Sequence, residues 1–213
     1  MLFLVSGASG VGKSTVRERL APRLGAAFIA VELRDLASTE AISVRWRQET
    51  AEVAAARAAE LVPLGQHVLL CGDPVAPAEL IAAPSAVRAG GVAACLLDAC
   101  PREQTDRLTR RGDDPTLLDA HRGFAEWMRE HAHDPLPRLD VLTQDASPHA
   151  RWERIARLVE HDQWRVSVVD TSGLTPDVVA DAVENWVQRA LHDDALVMYP
   201  CDDHDPRDDG DLA

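Results

Sequence analysis

Five apolar runs of strand length recur along the chain with helix-length segments between them: Leu2 to Val5, Phe28 to Val31, Val68 to Cys71, Val92 to Leu97 and Val166 to Val169. Runs of this kind show no polar alternation, so each must be buried on both faces, as parallel strands are when helices cover a sheet. Parallel neighbours need long crossovers, and the intervening segments supply them. The chain is therefore read as an α/β layered fold built on a five-stranded parallel sheet.

The helix signals fit that reading. A first helix is expected from Lys13 to about Leu24, ended by Gly25. A second begins near Ser38 or Thr39 and runs, with or without a break, to Leu64 before Gly65. Pro101 opens another through Arg111, interrupted by Gly112 before the Asp113, Asp114 and Pro115 turn, and a further helix covers about Thr116 to His131. Helical periodicity returns at Arg151 to Glu160, and Thr175, Pro176 and Asp177 start a last helix ending near Leu191.

The 213 residues suffice for one substantial core, and 46% hydrophobic with 27% charged residues is a globular balance. One domain is expected over residues 1–191. Residues 192–213 hold eight Asp against Arg207 alone, supplying −7 of the net −13, and are expected to form an acidic, disordered tail that a protein partner could bind. The remainder is still acidic, which argues against broad capture of nucleic acid or anionic lipid. No apolar run approaches the roughly 20 residues a bilayer needs, and Met1 to Val5 lacks the basic flank of a signal peptide, so a cytoplasmic protein is expected. Cys71, Cys95, Cys100 and Cys201 form no CxxC pair, and three of them sit in or beside apolar strand segments, where a buried thiol packs well.

Between the first strand and the first helix stand Gly7, Ala8, Ser9, Gly10, Val11, Gly12, Lys13 and Ser14, matching G-x-x-x-x-G-K-[ST] in the context that motif requires. Glycines let successive backbone N–H groups curl around phosphates, and the helix that follows offers its unpaired amides and positive dipole end. Lys13 would then reach the β and γ phosphates of a nucleoside triphosphate, and Ser14 would ligate magnesium. Lys13 is also the only lysine among 22 basic residues. A compact ammonium fits inside a closed phosphate loop that a planar guanidinium would overfill.

In a doubly wound sheet the ligand lies beyond the carboxyl ends of the strands, so the residues after each strand are candidates for chemistry. Glu32, Arg34 and Asp35 follow the second strand, Asp73 the third, and Asp98 ends the fourth. Asp73 closes an apolar strand as an acid that holds magnesium through water does, and ranks above Asp98. A hydroxyl acceptor needs a base near the γ phosphate, for which Asp35 is the first choice and Glu32 the second. Asp35, Asp73 and Asp98 are each also of a type that caps helices and turns.

Arg107, Arg110 and Arg111 gather at the end of a helix beside Gly112, where they suit a lid that closes over transferring phosphate. Trp46 between Arg45 and Arg47 suits either a planar or anionic acceptor or a half-buried core position. Phe124, Trp127, Met128 and His131 share one helical face and read as core. His121, His131 and His133 lack a third ligand at zinc spacing.

On Gly7 to Thr15, the Leu97 and Asp98 strand end with Arg107, Arg110, Arg111 and Gly112, and the segment Val169 to Thr175, the chain resembles the small P-loop kinases related to shikimate, gluconate and nucleoside monophosphate kinases, and their relatives acting on antibiotics or nucleic-acid ends. The resemblance implies a three-layer P-loop NTPase fold with sheet order 2-3-1-4-5 and a helical lid at about residues 107–123. It also implies ATP and Mg2+ as cofactors, Thr15 on the α phosphate, and a loop with Ser172 and Gly173 flanking the adenine base. Where shikimate and gluconate kinases carry acceptor signatures, this chain reads Glu32, Leu33, Arg34 and Asp35, so the resemblance names no acceptor. The expected activity is transfer of phosphate from ATP to a small-molecule hydroxyl or phosphate. A regulatory nucleotide-binding protein without efficient transfer and a polynucleotide 5′-end kinase are the alternatives.

Overall fold

Strand β1 (Leu2–Ser6) is buried along its whole length, because neighbouring strands close both edges and helices close both faces. The computed structural model describes residues 1–38 and 43–202. In it, β1, β2 (Phe28–Val31), β3 (His67–Cys71), β4 (Val92–Asp98) and β5 (Val166–Asp170) form one five-stranded sheet ordered β2-β3-β1-β4-β5. Every strand pairing is parallel, with Leu2 opposite both Val68 and Val92. The five expected strands and the order implied by the resemblance are those observed.

Alternation along β1 divides the core in two. Leu2 and Leu4 face one layer, which contains helix α3 (Val44–Leu61), while Phe3 and Val5 face α1 (Lys13–Leu24). The small stripe Ala51, Ala54, Ala55 and Ala58 of α3 is fully buried, so this helix lies close against the strands. A short helix that was not expected, α2 (Leu33–Leu36), precedes it; of the two expected starts for the longer helical segment, Thr39 falls outside the described residues, and α3 itself begins at Val44. Two further short helices, α4 (Pro77–Ile81) and α7 (Asp140–Thr143), were not expected. Helices α5 (Pro101–Arg111), α6 (Leu118–His133), α8 (Glu153–Glu160) and α9 (Pro176–Ala190) stand within a few residues of their expected bounds. Helix α9 packs Val183, Trp186 and Val187 beside α1. No helix among the described residues is long and apolar enough to cross a membrane.

Residues 192–202, expected to open a disordered tail, instead pack on the fold. Met198 is fully buried and exchanges two backbone hydrogen bonds with Val92 at the amino end of β4. Asp202 pairs at 2.7 Å with Arg154, a buried guanidinium that also donates to the carbonyls of Ile81 and Ala83. The acids are present as read, but apolar Val197 and Met198 among them have a core to join. The rest of the expected tail, 203–213, lies outside the described residues. Among the cysteines, Cys71 and Cys95 are buried and burial raises both thiols to about 12, whereas Cys100, expected with them in the apolar group, is exposed at the start of α5.

The face of α6 read as core is indeed inward. Trp127 stacks on His131 at 4.8 Å, and Trp164 meets the same imidazole edge-on at 5.6 Å. His131 Nε2 accepts from the Ala78 backbone N–H at 3.4 Å, while Nδ1 has no hydrogen-bond partner among the described residues. Burial lowers the pKa of this ring from 6.5 to about 4. The unfolded chain therefore takes up a proton that the folded chain refuses as pH falls between those values, and stability is lost in that window. From about pH 7 to about pH 5 the loss from this one ring should be about 2 kcal/mol, and His131→Leu should flatten the pH dependence of the denaturation midpoint. Parallel losses in wild type and variant would show that His131 is not the source.

Candidate active site

The register of the sheet brings the loops after β1, β2, β3 and β5 to one end, where they meet α5 around an open cleft of about 780 Å³. The loop after β1 is forced tight. Gly7 has φ 143°, and a Cβ there would lie 2.4 Å from the Leu97 carbonyl oxygen of β4, so only glycine lets the loop turn against that strand. Ser9, Gly10, Val11, Gly12, Lys13, Ser14 and Thr15 line the cleft, whereas Gly7 and Ala8 lie behind the lining.

Lys13, at the first position of α1, is buried and its Nζ donates to the Ala8 carbonyl at 2.8 Å. Burial lowers its pKa to about 8, opposed by the carboxylates Asp73 and Glu32 and reinforced by Arg111. The Cys71 thiol donates to the Lys13 carbonyl at 3.3 Å, bracing the loop from beneath. A buried ammonium near neutrality gains more from an arriving anion than an exposed one does.

Two carboxylates from neighbouring loops enter the cleft. Asp73 lines it and uses Oδ2 to accept the Leu33 backbone N–H at 2.7 Å, at the start of α2, and Oδ1 takes no hydrogen bond among the described residues. Glu32 also lines it, held by Arg17 Nε at 3.2 Å. A Cβ on Gly72 would stand 2.4 Å from Glu32 Oε1, so the missing side chain makes the room this carboxylate occupies. Asp35 is placed differently. Its Oδ2 accepts the Glu32 backbone N–H at 2.8 Å and pairs with Arg17 at 3.2 Å; its side chain is 51% exposed against 19% for Glu32, and it does not line the cleft. The acid preferred from sequence is thus a helix cap, and the second choice faces the cleft.

The three arginines of α5 divide similarly. Arg107 Nη1 donates to Thr171 Oγ1 at 2.8 Å, and Nη2 donates to the Thr171 carbonyl at 2.8 Å and to Glu103 at 2.5 Å, so it lines the cleft as a fixed tie between α5 and the β5 loop. Arg110 and Arg111 reach the cleft from the last turn; Arg110 makes no ion pair among the described residues, and Arg111 is clamped by Asp113. Gln104, buried, ties the same helix to the phosphate loop through the Ser9 carbonyl at 2.9 Å. Beyond β5, Thr171 and Leu174 line the cleft but Ser172 and Gly173 do not: Ser172 Oγ accepts the Cys100 backbone N–H, and Gly173 donates its N–H to Glu103.

Sequence reading missed Glu103, Gln104 and the role of Gly72. The four-residue spacing from Glu103 to Arg107 on one helix face was the available signal. Asp98, ranked second for magnesium, is paired to Arg129 at 2.9 Å and stands outside the lining. Arg47 turns inward to the buried Glu79, and Trp46 Nε1 donates to the Ser38 carbonyl, so with the exposed Arg45 they form no common anion-binding patch. The lining of the cleft carries five cationic side chains and three carboxylates, which makes it locally basic in a chain of net charge −13.

No protein-family model matches the chain, and no curated protein matches its sequence. Solved structures match its fold. An unliganded sugar kinase from Janibacter sp. HTCC2649 superposes with a TM-score of 0.53 at 15% identity, over 88% of this chain and 94% of that one. A gluconokinase from Sinorhizobium meliloti 1021 gives 0.55 at 18% identity, over 88% and 91%. The chain has the fold of the small P-loop kinases, a five-stranded parallel sheet of order 2-3-1-4-5 between helical layers.

Proposed function

We propose that the chain is a kinase that transfers the γ-phosphoryl group of ATP to a hydroxyl or phosphate of a small-molecule acceptor. The observation that carries this reading is convergence in one cleft of a phosphate loop with its buried lysine, two arginines beyond Arg107, and the carboxylates Glu32 and Asp73. Lys13 and the loop amides bind the β and γ phosphates, and Thr15, in the first turn of α1, binds the α phosphate. Arg110 and Arg111 neutralise charge that spreads over the transferring group.

The residues also fit a magnesium ion. Ser14 and Asp73 both line the cleft beside the phosphate loop, a hydroxyl and a carboxylate of the hard oxygen type that magnesium takes alongside phosphate. Ser14 and Asp73, through its Oδ1, would hold it. Bound there, magnesium would neutralise charge on the nucleotide phosphates.

Glu32 takes the role of base or acceptor anchor in place of Asp35. As the acceptor oxygen bonds to the γ phosphorus and the bond to the bridging oxygen breaks, Glu32 receives the acceptor's proton and ADP departs. Arg17 and Asp35 hold Glu32 in position, and Gly72 gives it room.

The test is a screen of sugars, hydroxy acids, nucleosides and antibiotics for acceptor-stimulated ADP formation. A folded Lys13→Ala protein should lose the stimulated rate by about 10³-fold or more. No acceptor-stimulated ADP from the wild type, or full activity in the alanine variant, would overturn the reading. With an acceptor in hand, Glu32→Gln should lower kcat by about 10²-fold or more while ATP still binds. Gly72→Ala should act in the same direction by displacing Glu32, and an unchanged rate in both variants would move the base elsewhere.

A further inference from the structure

Arg110 and Arg111 are consecutive, both line the phosphate cleft, and yet they are held differently. Arg110 makes no hydrogen bond or ion pair among the described residues. Arg111 presents Nε and Nη2 to the two oxygens of Asp113 at 2.6 and 2.5 Å, a two-point clamp. That is the same edge of the guanidinium that a phosphate takes bidentately. The clamp is built in by local geometry: Gly112 ends α5 in the left-handed conformation, with φ 87°, and turns the next residue back beneath the helix end.

Asp113 is more sheltered than a surface carboxylate usually is, its side chain 15% exposed against 58% for Arg111. Its hydrogen bond to Arg111 holds its carboxyl below the usual range, so it stays ionised at neutral pH. His121 Nε2, on α6, is the next nearest basic group, 3.8 Å from Asp113 Oδ2 and beyond hydrogen-bond distance. Arg111 already shares the field of the phosphate loop, since its charge lowers the pKa of Lys13.

Resting on the reading of the cleft as a nucleotide-phosphate site, we propose that Asp113 is a positioning residue that competes with nucleotide phosphate for Arg111. Arg110 meets the phosphates without giving anything up. Arg111 joins only by exchanging a carboxylate for a phosphate, which makes its engagement, and the movement of the turn that carries it, depend on an anion strong enough to displace Asp113. Arg107 stays behind as the fixed tie, so the moving part of the lid begins after it.

The experiment is calorimetric titration of MgATP, without acceptor, into wild type, Asp113→Asn, Arg111→Ala and the double variant, each shown to be folded by its melting transition. Asp113→Asn should tighten ATP binding by about threefold, the size expected of a partly exposed charge pair, and the same change in the Arg111→Ala background should do nothing. Equal tightening in both backgrounds would overturn the proposal, because removing a negative charge near phosphate would then explain everything. So would no tightening in either. No binding by any of the four proteins would overturn the phosphate-site reading beneath it, whereas failure to find an acceptor leaves this test intact.

Discussion

The register of β1 between β3 and β4 determines where the groups of the cleft end up. Val5 stands opposite Cys71 on one side and Cys95 on the other, and Ser6 opposite Leu96, so the chain leaving β1 emerges level with the ends of both neighbours. Gly7 then has to pass the Leu97 carbonyl, and the loop can go only up and around into α1. The same alignment puts Gly72 and Asp73 beside the loop on the β3 side. A slip of one residue in either pairing would turn the apolar residues of β1 to the wrong layers, so the burial that holds the sheet together also holds the site in register.

Charge is distributed with similar economy. Most of the molecule is acidic, and its arginines are largely matched on the surface, as Arg19 with Asp177 and Arg23 with Asp181 and Glu184. In the cleft the balance is reversed. Lys13 is both buried and short of a full counter-charge, and its lowered pKa records that deficit. An arriving polyphosphate corrects it, which is a physical reason for the cleft to prefer an anion of high charge density over the carboxylates already nearby.

Much of this was legible in the residues. The central strands β1, β3 and β4 could be read because both their faces are buried, whereas the edge strands β2 and β5, read the same way, are only partly covered and leave Val168 exposed; the phosphate loop could be read because glycine spacing, the following helix and a solitary lysine coincide. Sheet order came only from resemblance, since apolar runs do not say which neighbours they choose. The choice between Asp35 and Glu32 turned on a capping interaction within α2 that spacing alone leaves open, and the fixed role of Arg107 turned on Thr171, sixty-four residues away in sequence. Acidic composition suggested a loose segment from residue 192, but Met198 and the buried Arg154 anchor its first part.

Because Lys13 is the sole lysine, the central claim that it sits on the phosphates of a bound nucleotide can be read directly from labelling. An acyl-phosphate derivative of ATP, which transfers its acyl group to an amine lying beside the phosphates, should modify Lys13, and excess MgATP should abolish that labelling as seen by mass spectrometry of the digested protein. Absence of label on Lys13, or labelling that excess MgATP leaves unchanged, would contradict the account.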